Sequence, residues 1–135
     1  MSGASDWLTK AREDLVTVEL LQKFDTYPHL VAAFHCQQAV EKSLKAFLTA
    51  HGTRFAHRHD LGYLLELCRD VDAACAVLET DIAGLTSYAV EMRYPADLPL
   101  TISSEEVQRF YSQARRVFEF VSRALGVDAG AQDSP

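Results

Sequence analysis

Four polar residues recur at steps of three, four and three in the stretch HCQQAVEKSLKAFLTAHG: His35, Gln38, Lys42 and Lys45. At 3.6 residues per helical turn they fall within a stripe about 80° wide. An imidazole, an amide and two ammonium groups on one stripe could hold a phosphate or move a proton beside one. The plainer alternative is the solvated face of an ordinary helix. Only Glu41 stands close enough in sequence to neutralise either lysine, so the stripe is expected to carry uncompensated positive charge.

Two further stretches could face it. HRHDL opens a helix where backbone N–H groups are free, and it places His59 and Asp60 at a natural anion site that is equally a plain N-cap. YAVEMRYP ends another helix and carries Arg93 between Tyr88 and Tyr94. Arg93 could reach a phosphate with two N–H donors or pair with Glu41 and lock two helices together. A zinc site from His57, His59 and a cysteine lacks any supporting ligand spacing, so no metal and no cofactor is expected.

The elements that must position these residues read as helices almost throughout. Trp7, Ala11, Leu15, Val18 and Leu21 or Gln22 mark one apolar face, with Ser5 expected as the cap and Asp6 in the first turn. DTYPH breaks that pattern and Pro28 introduces a second helix, from about His29 to His51, ended by Gly52. Opposite the polar stripe this helix carries Ala33, Cys36, Val40, Leu44, Phe47 and Leu48, with Gln37 among them. An arc that broad packs against several neighbours and makes the helix central. Asp60 is expected to cap a short helix, LGYLLELCRDV, and a fourth is expected from about Asp72 to Arg93, with Leu78, Ile82, Leu85, Ala89 and Met92 inward. Pro95 ends it. Ser103 or Ser104, with Glu105 or Glu106 behind it, caps the last helix, whose inner face runs from Val107 through Phe110, Tyr111, Ala114, Val117 and Phe118 to Val121.

The expected architecture is therefore all-α: an antiparallel up-and-down bundle of four main helices plus one short helix, over residues 1–125, with a disordered tail at 126–135. The 135 residues are enough for one domain with a real core, and no apolar run reaches the ~20 residues of a membrane span. With no secretory leader in the opening residues and three cysteines in apolar helical patterns, a cytoplasmic protein with reduced core thiols is expected. A net charge of −6 opposes general affinity for nucleic acid or anionic membrane, but leaves room for a local basic site.

FHCQQAVEKSLKAFLTAHG, then HDL, then RYP, in that order, resemble the HEPN family, over roughly residues 5–125. The resemblance implies a helical bundle that forms a homodimer, and often a small nucleotidyltransferase partner in a toxin–antitoxin pair. Many members are metal-independent ribonucleases with an arginine and a histidine separated by four to six intervening residues near the start of a late helix. Here no histidine follows Arg93; the one formal match, Arg54 to His59, lies between the second and third helices. The resulting expectation is a nucleotide- or RNA-binding module whose ligand-binding residues are His35, Gln38, Lys42, Lys45, His59, Asp60, Arg93 and Tyr94. The alternatives are a purely structural interaction subunit, or a ribonuclease using His35, His59 and Arg93.

Overall fold

The computed structural model describes residues 2–85 and 101–127. The elements are α1 (Ser2–Leu21), α2 (His29–Ala50), α3 (Leu61–Val71), a 3-10 helix (Ala73–Leu78), helical residues 79–85 (α4) and α5 (Ser104–Ala124). Among the described residues there is no strand, and no helix is long and apolar enough to cross a membrane.

α2 is the centre, packed by α1, α5 and α3. Its broad apolar arc explains this: Ala33, Cys36, Ala39, Val40, Leu44, Phe47 and Leu48 are all buried, and Gln37 is buried with them. α1 contributes Leu8, Ala11, Leu15 and Val18, α3 contributes Leu61, Leu64, Leu65 and Cys68, and α5 contributes Val107, Phe110, Ala114, Val117, Phe118 and Val121. These residues recur at steps of three and four, the spacing at which a helix returns to the same side.

Local signals set most boundaries. Gly52 sits one residue past the α2 cap at φ 68°. With the Thr53 N–H donating to the Leu48 carbonyl at 2.9 Å and the Gly52 N–H to Thr49 at 3.1 Å, this is the glycine-closed turn that satisfies a helix's last carbonyls. Asp60 caps α3 by accepting from the Tyr63 N–H. Ser103, rather than Ser104, caps α5 through a reciprocal box with Glu106.

Two boundaries differ from expectation. α1 starts at Ser2, so Ser5 lies inside the helix and does not cap it. The reason is packing: Ala4 is buried, and a Cβ at Gly3 would stand 3.1 Å from Thr49 Cγ2. The first turn thus extends the apolar seam along the end of α2. Nor does one continuous α-helix start at Asp72. Asp72 is extended and accepts from the Ala74 N–H, and residues 73–78 form the tighter 3-10 coil, whose three-residue period puts Cys75 and Leu78 on one buried edge. Leu78, Ile82 and Leu85 then continue the inner stripe as expected. Ala89, Met92, Arg93 and Pro95, and the tail beyond Val127, lie outside the described residues.

Candidate functional site

The polar stripe of α2 does not face open water. α1 runs alongside in the opposite direction, so Trp7 meets Lys45 while Asp14, two turns later in α1, meets His35 and Lys42. Asp14 is buried. One of its oxygens is 2.7 Å from His35 Nδ1, and the other accepts from Lys42 Nζ at 2.7 Å.

A second cluster of the same kind lies further along α2. Glu41 is buried, accepts from Lys45 Nζ at 2.9 Å and holds His59 Nδ1 at 2.9 and 3.1 Å from its two oxygens. Lys45 is only 6% exposed, and its ammonium lies 5.3 Å from the Trp7 ring centre and 5.7 Å from that of Phe55. Aromatic faces replace part of the water that a buried ammonium loses.

The expectation of two uncompensated lysines therefore does not hold. Each lysine is matched by a buried carboxylate, one of them on a different helix. Asp60 likewise fills the start of α3 with its own carboxylate, which also accepts from Arg58 at 3.1 Å. That helix N-terminus is capped from within rather than left open.

What the two clusters do supply is a pair of oriented histidines. A carboxylate that already accepts from an ammonium can only accept again, so Nδ1 of His35 and of His59 carries the proton. Nε2, on the far side of each ring, points away from its carboxylate. His35 is half-buried and His59 exposed, so both rings are within reach of a ligand. An imidazole held this way can accept a hydrogen bond, or a proton, at a fixed atom. Gln38 and Lys42 are half-buried on the same side of α2.

Residues 4–124 match the family model described as HEPN domain. The chain belongs to the HEPN family. No curated protein and no solved structure matches it. The match spans all the described helices of this HEPN domain, from the first turn of α1 to the end of α5.

Of the expected site residues, the fold brings His35, Gln38, Lys42, Lys45 and His59 to one side of α2. Asp60 sits beside His59 as the α3 cap, and Arg93 and Tyr94 lie outside the described residues. Asp14, which fixes both His35 and Lys42, was not among the expected residues. Its sequence neighbourhood, KAREDLV, reads as an ordinary polar helix face, and only the register of α1 against α2 reveals its role. Among the described residues, no group of three His, Cys, Asp or Glu side chains is placed to hold a metal ion.

The three thiols are buried and held in the protonated form. Burial, aided by Asp14, pushes the Cys36 thiol up to about 12; burial, aided by Cys75, does the same at Cys68. Cys75 rises to about 11 through burial and then Asp72. Thiolate, the nucleophilic form, is thus suppressed at neutral pH.

Proposed function

We propose that this HEPN domain is a binding module that takes a nucleotide or an RNA segment along the polar side of α2. The observation that carries this reading is the pair of histidines, His35 and His59, each locked by a buried carboxylate with Nε2 directed away from it. The two rings flank Gln38 and Lys42, which gives a row of fixed acceptors and donors suited to phosphate oxygens, ribose hydroxyls and base edges. Because Lys42 and Lys45 are matched by Asp14 and Glu41, affinity comes from hydrogen bonding more than from charge. Its salt dependence is correspondingly shallow, with a slope near that of one or two neutralised phosphates. Arg93 and Tyr94 are further ligand-binding residues in this proposal.

The chain acts as a homodimer of antiparallel up-and-down bundles. Leu30, Val31 and Phe34 support the dimer: they are 39%, 44% and 44% exposed, adjoin one another at steps of three and four, and continue lengthwise into His35 and Gln38. An exposed apolar cluster beside a polar strip is the make-up of an interface core with its rim. A small nucleotidyltransferase, in a toxin–antitoxin-type pair, is the proposed protein partner. Co-purification of the two chains tests it, and a chain that ignores every nucleotidyltransferase encoded beside it overturns it.

The same carboxylate–histidine pairs favour one alternative, a metal-independent ribonuclease in which a histidine moves the 2′-hydroxyl proton and Arg93 stabilises the phosphorane. RNA cleavage in excess chelator that is lost in both His35→Ala and His59→Ala would establish that alternative. For the binding reading, the test is titration with ATP, GTP and short RNA, comparing wild type with Gln38→Ala and His59→Ala. These positions are informative because neither substitution strands a buried ammonium.

A further inference from the structure

At the end of the molecule away from Lys45, a cleft of about 370 Å³ opens between the end of α1 and the start of α5, lined by Gln22, Phe24, Asp25, Tyr27, Ser104 and Gln108. That volume falls in the range of small-molecule sites, about 300–1,000 Å³. The inference goes beyond the reading above, since none of these residues belongs to the α2 strip.

Both walls are held in place. Tyr27 packs edge-on against His29 at 4.5 Å between ring centres, and the His29 Nδ1–H donates to the Ile102 carbonyl at 2.7 Å. Ile102 is buried and precedes Ser103, whose capping box with Glu106 fixes the first turn of α5. The loop after α1 is therefore linked to the start of α5 through the Tyr27–His29 ring contact, the His29–Ile102 hydrogen bond and the Ser103 cap.

The lining has a definite chemistry. Phe24 is 65% exposed, a ring that packing within the chain does not use. Asp25, Gln22 and Gln108 surround it with a carboxylate and two amides. Among the described residues no hydrogen bond engages those three side chains. Asp25 is the one charged side chain among these lining residues, and Glu106 in the first turn of α5 is engaged by its capping box and by Arg109 at 3.8 Å.

An exposed aromatic face beside a carboxylate suits a planar ring that presents two adjacent N–H donors. Among the nucleobases only guanine does so on its pairing edge, with N1–H and the exocyclic amine; adenine and cytosine place an acceptor beside their amine, and uracil offers one donor between two acceptors. We propose that this cleft is a guanine-base site, with the ring stacked on Phe24 and the N1–H and N2–H groups donating to Asp25, while Gln22 and Gln108 hydrogen-bond the rest of the base.

The test uses phosphate-free nucleosides on the full chain, followed by amide NMR. Guanosine produces saturable shifts at residues 22–27, 104 and 108, and adenosine, cytidine and uridine bind at least about tenfold more weakly. Phe24→Ala and Asp25→Asn each weaken guanosine about tenfold or more without changing the melting temperature, because both side chains are exposed. His35→Gln leaves guanosine binding intact, so failure of the α2 strip and failure of this cleft are told apart. Equal response to all four nucleosides, no saturable shift, tighter binding of argininamide than of guanosine, or loss of guanosine binding in His35→Gln each overturns the assignment.

Discussion

Asp14 holds two partners with two oxygens, and that arrangement decides what its neighbours can do. A buried ion pair adds little net stability, but removing one partner leaves the other's charge less compensated. Lys42 keeps 22% of its side chain exposed, so Lys42→Ala is expected to cost about 2–3 kcal/mol, below the ~3–5 kcal/mol of a fully buried pair. Lys42→Met combined with Asp14→Asn should recover most of that loss in chemical denaturation. The Glu41–Lys45 pair lies deeper, and Glu41→Leu with Lys45→Met is expected to be neutral or stabilising by ~1–4 kcal/mol. These pairings also explain what the sequence conceals. The wheel placed Lys42 and Lys45 correctly on one side of α2, but their neutralisation depends on Asp14, 28 positions from Lys42, and on rings from α1 and the loop before α3. The thiols give a residue-scale pH prediction. All three cysteines titrate higher in the fold than their ordinary value of 9. On raising the pH past 9 the unfolded chain therefore releases these protons first, and binds fewer than the native state. Stability then falls as pH rises, from about 9 up toward 11 to 12, and is unaffected by these groups below. Urea midpoints at pH 8 and pH 10 check this, and Tyr111, raised from 10 to about 12 by burial and by its hydrogen bond to Glu19, steepens the fall above pH 10.

At the scale of elements, the legible features are those written locally. Asp60, Ser103 with Glu106, and Gly52 each announce a helix end within four residues, and the helices start or stop there. Ser103→Ala is expected to cost about 1 kcal/mol, and Gly52→Ala about 1–2 kcal/mol, because an L side chain is strained at φ 68°. Thermal melts of the two variants, each beside wild type, check both values. Features that rest on contacts between elements are less legible. Ser5 looks like a cap in isolation, yet packing of the first turn against Thr49 draws the helix further out. AACAVL has the composition of an α-helix, and its 3-10 coil follows from seating Cys75 and Leu78 three residues apart on the core.

For the whole molecule, the order of motifs along the chain was informative where single motifs were not. FHCQQAVEKSLKAFL, HDL and RYP carried the resemblance to HEPN, and the family match over residues 4–124 places the chain there. The helical class and the central place of α2 were readable from one broad apolar arc. The chemistry of the α2 face was not, since it emerges only where α1, α2 and the turn before α3 meet. In the proposed dimer, Phe34→Glu puts a charge into the interface core, and sedimentation velocity should show a monomer with unchanged helicity; a dimer that survives the substitution would place the interface elsewhere. The most direct measurement of the binding reading is titration of the full chain with short RNA, comparing wild type with the Gln38→Ala/His59→Ala double variant. Saturable binding that weakens at least about tenfold in the variant, at unchanged melting temperature, is the expected result. No binding by wild type, or equal binding by both, contradicts it.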